Sequence, residues 1–306
     1  MPELIEVLVT GQYLNLTIKN KIIKKINILG GRYKRHKNSL IGYNLINKIL
    51  PVKVISVNTK GKFLWFELIN NEKKKNIFLM NTFGMSGKWN FEKEKHSHIE
   101  IIFKNKKKLY FTDVRNFGTI KFDLHNELKK KLNLIGPDLL QEKISNSIIK
   151  KRLYNLIKKS NKKSNTEIVK VLMDQTNKNG IGSGIGNYLA PEILYRAKIS
   201  PHTKIIDIYN NDNLIKKLTK YIKYILKLAY VKNEVGYMVN LISFSKKHQT
   251  FIKNGKLPNF YPKVKLKEDE FDFFVYGQKK DLLGNIVKKD KIIKGRTTYW
   301  VPKIQK

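Results

Sequence analysis

The chain has 306 residues, 41% of them hydrophobic, no cysteine, and a formal net charge of +38 from 62 Lys and Arg against 24 Asp and Glu. That length allows two domains and a sizeable core, and the lack of cysteine excludes disulfides, thiol catalysis and cysteine-ligated zinc. No run reaches the roughly 18–20 apolar residues of a membrane span, so a soluble, intracellular protein with a polyanionic partner is expected.

The opening "MPELIEVLVTGQ" carries Leu4, Val7, Leu8, Leu14 and Ile18 at mostly helical spacing, which predicts a helix from Glu3 to Ile18. Glu3 and Glu6 then have two readings. As first-turn acids they favour a helix N-terminus. In the chemical reading, removal of Met1 leaves Pro2 as a secondary amine. An α-amino group titrates near 7.7–8.0, against about 10.4 for lysine, so a useful fraction is unprotonated at neutral pH. Such an amine is a nucleophile toward a carbonyl-like carbon, and carboxylates beside it can shuttle protons.

Seven segments with strand character follow: "KIIKKINIL", "VKVISV", "GKFLWFELI", "KNIFLMN", "HIEIIF", "KLYFTDV" and "TIKFDL". Alternation and turn signals such as "NNEKKKN" and "KNKKK" predict antiparallel pairing in a sandwich, with the first helix packed at one edge. From Asn126 onward "NELKKKLNL", "SNSIIKKRLYNLIKK", "TEIVKVLMDQ", "NYLAPEILYRAK" and "NDNLIKKLTKYIKYILKLAYV" read as helices. The tail returns to strand-like runs, "FDFFVYGQ" and "RTTYWVP", around a turn at "LLGNI", which predicts an appended hairpin. The fold class is therefore α+β with two domains.

"GIGSGIGN" lacks the Gly-Lys-Ser/Thr ending of a phosphate loop and joins two helices, which excludes both nucleotide-binding readings. It is either a flexible interhelical turn or a place where backbone N–H groups and Asn187 grip a phosphate. "NTFGMSGKW" puts Met85 on a tight turn and "TDVRNFGT" puts Arg115 and Phe117 on another. From spacing alone Met85 and Phe117 read as core residues beside turns; the alternative is a wedge that fills the gap left by an extruded base. Lys62, ahead of "FLWFEL", is by itself one surface lysine among many. His96 and His98 share a strand face without a third ligand, so no metal site is expected.

Taken in order, these pieces resemble the formamidopyrimidine-DNA glycosylase and endonuclease VIII family. "PELIEV" is similar to its N-terminus, "KGKFLWFEL" to its catalytic-lysine strand, "GMSG" and "TDVRNFG" to its probe loops, and "IGPDLL" to its interdomain hinge. "GIGNYLAPEILYRAKISP" resembles its helix–two-turn–helix element and "GRTTYWVP" its C-terminal finger. The resemblance implies a catalytic β-sandwich domain over 1–125, a hinge over 126–143, a helix–two-turn–helix domain over 144–268 and a finger hairpin over 269–306. It makes Pro2 the Schiff-base nucleophile, Glu3 the proton-transfer group and Glu6 the carboxylate that holds the terminus in register. Lys62 would contact the phosphate beside the lesion and assist catalysis. Met85, Arg115 and Phe117 would fill the duplex gap, and Lys170, Asn187 and Arg296 would clamp phosphates.

The implied function is a bifunctional DNA glycosylase and AP lyase acting on oxidised bases, without cofactor or metal, monomeric, with damaged double-stranded DNA as partner and no membrane. The alternatives are a catalytically silent, structure-selective DNA-binding protein on the same scaffold and a basic RNA-binding structural protein. Several positions depart from the family pattern. Ile5 replaces a proline, Asn116 a basic residue beside the wedge arginine, and "TNKNGIGSGIGN" is longer by a few residues. Val301 and Ile304 fall where the last zinc pair would be, so the finger is expected to stand without zinc.

Overall fold

The computed structural model describes residues 2–35, 40–70, 72, 75–232 and 242–306. Met1, whose removal the chemical reading requires, and part of the turn expected at "NNEKKKN" lie outside the described residues. The chain forms two compact units, 1–133 with 234–251, and 134–233 with 252–306. In chain order the elements are α1 (Leu4–Ile18), β1 (Ile22–Ile28), α2 (Arg32–Arg35), α3 (Tyr43–Asn47), β2 (Val52–Lys60), β3 (Phe63–Asn70), β4 (Lys75–Thr82), β5 (Lys88–Asn90), β6 (Ser97–Phe103), β7 (Lys108–Thr112) and β8 (Thr119–Asp123). Then come α4 (His125–Leu134), α5 (Asn146–Ile157), α6 (Asn161–Ser164), α7 (Ile168–Met173), α8 (Leu189–Ala197), α9 (Ile205–Tyr209), α10 (Asp212–Lys232), α11 (Ile242–Lys253), β9 (Lys288–Ile293) and β10 (Arg296–Trp300).

In the first unit β1 to β8 form one antiparallel sheet in the order β5-β7-β6-β1-β2-β3-β4-β8. The sheet folds over on itself. Trp89 on edge strand β5 packs against Phe66 of β3 at 5.3 Å between ring centroids, and its indole N–H donates to Asn81 Oδ1 of β4 at 3.0 Å. The expected sandwich is thus one continuous sheet. Its corner is the β1–β2 pair, Ile22 with Lys53 and Ile23 with Val52, flanked by register shifts in β1 and β2; such bulges bend a strand and increase its local twist.

The first helix is buried on most of its circumference, as its apolar sequence requires. It lies along β2 and β3, in the middle of the strand order, rather than at a sheet edge. Two features bring it there. Asn15 Oδ1 accepts from Val57 N–H at 2.9 Å. A β-carbon at Gly11 would stand 2.6 Å from Thr59 Cγ2, so glycine permits the close approach. On the other side of α1, Tyr13 meets Phe244 of α11 at 5.2 Å, and Gln12 Oε1 lies 3.1 Å from His248 Nε2.

The unit boundary at 133/134 falls inside the hinge expected over 126–143. Up to that boundary α4 packs with the first unit: Leu128 is buried, the His125 ring meets Phe78 at 5.8 Å, and Lys131 Nζ lies 5.8 Å from the Phe63 centroid. Two expectations are revised. The residues of α11 up to 251 also belong with the first unit, through contacts with α1. In the tail, the hairpin pairs β9 with β10. "FDFFVYGQ" is irregular, because the N–H groups of Phe274, Val275 and Tyr276 donate to the buried Glu192 carboxylate at 3.1, 3.0 and 2.9 Å instead of to a neighbouring strand.

Burial pulls the His248 imidazole down from 6.5 to about 4. With the folded-state value below the unfolded one, the unfolded chain takes up this proton first as pH falls. The contribution is fully present above about pH 6.5, declines from there to pH 4, and amounts to about 3 kcal/mol lost below it. Urea unfolding of wild type and His248→Leu, followed by tryptophan fluorescence, should show their stability difference shifting by that amount between pH 6.5 and 4. A constant difference would contradict the buried neutral imidazole.

Candidate active site and nucleic-acid interface

The site follows from one register. Lys60 pairs with Phe63, Phe63 with Thr82, and Thr82 with Thr119, across β2, β3, β4 and β8. Three connections therefore leave the same end of four adjacent strands spaced about 4.8 Å apart. They are the Gly61–Lys62 turn, the turn after β4 with Met85, and the loop before β8 with Arg115 and Phe117.

The start of α1 reaches the same end. The contacts Asn15 with Val57 and Gly11 with Thr59 show that α1 runs opposite to β2. Four helical residues rise about 6 Å, and two strand residues about 7 Å. Continuing that register takes the first turn of α1, with Pro2 and Glu3 ahead of it, to the turn that carries Lys62. Pro2 is buried, and Glu3 and Glu6 are each 1% exposed. Glu6 Oε2 accepts from Glu3 N–H at 2.8 Å, closing a capping box with Glu3 as N-cap. The helix-start reading of the two acids is therefore realised. It also fixes the backbone immediately after Pro2, which leaves the chemical reading open. Lys62 is half-buried on its two-residue turn, where Gly61 takes φ +57°.

Met85 and Phe117 are not core residues. They are 42% and 59% exposed, and Arg115 Nη1 lies 3.3 Å from Met85 Sδ. Their loops are locked together underneath by Asp113, which is 1% exposed. Asp113 Oδ1 accepts from Ser86 Oγ at 2.5 Å and from Arg115 N–H at 3.3 Å, and Oδ2 accepts from Gly118 N–H at 2.6 Å. Ser86 Oγ in turn accepts from Arg115 N–H at 2.9 Å. Gly84, at φ +60°, allows the backbones to touch: a β-carbon there would be 2.6 Å from Phe117 C and Gly118 N. Sequence reasoning singled out the tips of these loops and missed Asp113, although an acid at the head of "DVRNFG" was a visible signal.

The remaining expected contacts lie in the second unit. Lys170 is exposed on α7, 2.9 Å from Glu167 Oε2, and Lys204 lies 3.1 Å from Glu167 Oε1. Burial pushes the Glu167 carboxyl up, but Lys170 and Lys204 outweigh it and hold the group at about 2. Asn187 is half-buried just ahead of α8. The glycine-rich loop before it is not a loose turn. Gln175 Oε1 accepts from Gly184 N–H at 2.6 Å, Ser183 N–H donates to Pro137 O at 2.7 Å, and Arg152 donates to the carbonyls of Asn177, Gly180 and Ile181. Arg152 thus secures the stretch from Asn177 to Ile181.

Arg296 is exposed at the first position of β10, after the Lys294–Gly295 turn. Its hairpin is held by apolar packing of Tyr195, Val275, Val287 and Val301, with Phe274, Tyr299 and Ile304 against them. Val301 and Ile304 are therefore packing residues. Among the described residues no group of three or more His, Asp or Glu is placed to hold a metal. Glu192 of α8 completes the mount through its three bonds to residues 274–276. Burial pushes its carboxyl up while those N–H groups pull it down. An acid on an otherwise apolar helix face was the signal for it.

The description "Formamidopyrimidine-DNA glycosylase N-terminal domain" matches residues 1–120, and the corresponding C-terminal domain matches 262–306. The formamidopyrimidine-DNA glycosylase of Ureaplasma parvum is 30% identical over 100% of both chains. The chain belongs to the formamidopyrimidine-DNA glycosylase family. The Mycoplasma genitalium family member is also 30% identical, over 100% of this chain and 96% of its own length. The Lactococcus lactis formamidopyrimidine-DNA glycosylase, solved non-covalently bound to DNA containing an AP site, shares the fold with a TM-score of 0.68. It is 20% identical, over 99% of each chain.

Removing the Asp113 carboxylate should free the wedge loop. In Asp113→Ala the buried Gly118 N–H loses its acceptor, a cost of about 1–3 kcal/mol. Amide exchange at Gly118 should then accelerate at least tenfold (about 1.4 kcal/mol). Unchanged protection would show that the loop is held by other means.

Proposed function

We propose that this family member excises oxidised bases and then cleaves the strand through a Schiff base on the Pro2 amine. Its membership of the family makes it a DNA glycosylase of base excision repair, with damaged double-stranded DNA as partner. The observation that carries the finer reading is the shared register that sets Lys62, Met85, Arg115 and Phe117 at one end of β2, β3, β4 and β8, beside the start of α1.

A base inside a duplex is out of reach, so the nucleotide is turned out at a cost of a few kcal/mol, offset by phosphate contacts and inserted side chains. Met85, Arg115 and Phe117 fill the gap, and Lys62 holds the phosphate beside the extruded sugar. Lys170, Asn187 and Arg296 contact backbone phosphates from the second unit. The Pro2 nitrogen attacks C1′ with its lone pair, and the bond to the damaged base breaks as the base leaves with a proton. Glu3 moves protons at the sugar as the ring opens to an iminium. The iminium acidifies the C2′ proton. Its loss expels the 3′-phosphate by β-elimination, and a second elimination expels the 5′-phosphate. Glu6 acts as a positioning residue through the Glu3 N–H. The substrates we assign are formamidopyrimidines and 8-oxoguanine, with oxidised pyrimidines as a further class.

Protein beginning at Pro2, incubated with lesion duplexes, should release these bases and nick the strand, and borohydride should trap it on an abasic duplex. Pro2→Gly should trap less, and Glu3→Gln should lose about 10²-fold or more in base excision. Binding to abasic DNA without nicking or trapping would instead indicate a silent DNA-binding protein on this scaffold.

A further inference from the structure

A second cationic element is fastened to the wedge loop. The segment after β1 is tied to it through several bonds. Leu29 N–H and Gly30 N–H donate to His98 O at 2.8 and 3.3 Å, and His98 Nε2 lies 2.8 Å from Asp113 O. Arg32 N–H donates to Asn116 Oδ1 at 3.3 Å, and Tyr33 Oη donates to Gly118 O at 3.2 Å. The fit leaves no room: a β-carbon at Gly31, where φ is +63°, would stand 2.5 Å from Asn116 Oδ1 and 2.6 Å from His98 Nδ1. Asn116 itself takes φ +56°, a conformation asparagine tolerates well.

The arrangement occupies Asn116 with a backbone donor and places Arg32, exposed, directly beside the residues that face the duplex gap. The Arg32 charge acts on Tyr33, whose hydroxyl reaches the loop at Gly118 O. Burial pushes the Tyr33 phenol up, and Arg32 pulls in the opposite direction. Among the described residues no carboxylate pairs with Arg32. A guanidinium at the first residue of α2, unneutralised by an acid, is suited to fork onto phosphate oxygens.

We propose that Arg32 supplies a backbone-phosphate contact flanking the gap filled by Met85, Arg115 and Phe117, in place of a basic side chain at Asn116. The proposal rests on the DNA-acting reading above. It separates the cation from the wedge loop itself: the loop keeps a tight asparagine turn, and the start of α2 carries the charge.

The test is binding to a duplex with a stable tetrahydrofuran abasic analogue, titrated by anisotropy between about 50 and 200 mM salt. Arg32→Ala should weaken binding roughly fivefold to tenfold and lower the salt slope by about 1. Arg32→Lys should keep the slope. Lys106→Ala, on the β6–β7 turn at the other end of β7, should change neither. Wild-type affinity and slope in Arg32→Ala would overturn the proposal, as would an equal loss in Lys106→Ala. Wild-type protein that does not prefer the abasic duplex over an undamaged one would overturn the DNA-acting reading itself, and this contact with it.

Discussion

The strand register Lys60–Phe63–Thr82–Thr119 is the constraint on which the candidate site depends. A sheet register is set by which faces are buried, and a slip of one residue would turn every side chain of a strand to the other face. Here β3 and β4 bury Leu64, Phe66, Leu68, Ile77 and Leu79 completely, so the register is strongly specified. The turn lysine, the Met85 turn and the Arg115 loop inherit their alignment from that core. Packing chemistry far from any DNA therefore fixes which functional side chains emerge together.

In a chain with so few carboxylates, Glu6, Asp113 and Glu192 are buried and accept from one, two and three backbone N–H groups. Such bonds give the buried oxygens partners and so reduce the cost of burial; at Glu192 burial still outweighs them and pushes the carboxyl up. Each acid organises a separate element: the start of α1, the wedge loop and the mount of the finger. Glu192, with the apolar cluster around Val301, gives the finger a fixed seat without a metal-ligand set. The exposed surface of the wedge loop and the finger carries cations, Arg115 and Arg296.

Much of this was legible in the sequence because local period and burial agree. The seven expected strands and α1 lie where alternation and helical spacing put them. β5 was missed because three residues are too short to show a period. "FDFFVYGQ" has the aromatic composition of a strand, yet its donors are taken by Glu192, a tertiary fact that no local pattern carries. The return of α11 to the first unit is likewise tertiary, since its contacts are with Tyr13 and Gln12 more than two hundred residues earlier in the chain. At the site, Met85 and Phe117 looked like core residues when each was weighed by spacing, and the order of several motifs outweighed that. The anchor Arg152 had no such signal, because its bonds are mostly to backbone carbonyls of a loop whose shape the sequence does not disclose; the acid heading "DVRNFG" did offer one for Asp113.

The central claim is that the reactive amine is the one at Pro2, at the head of α1, rather than any of the many lysines. The most direct measurement is to reduce the protein–DNA intermediate on an abasic duplex with borohydride, digest it, and map the modified peptide by mass spectrometry. The account predicts a sugar adduct on a peptide that begins at Pro2. An adduct on Lys62 or on another lysine, with the N-terminal peptide unmodified, would contradict it.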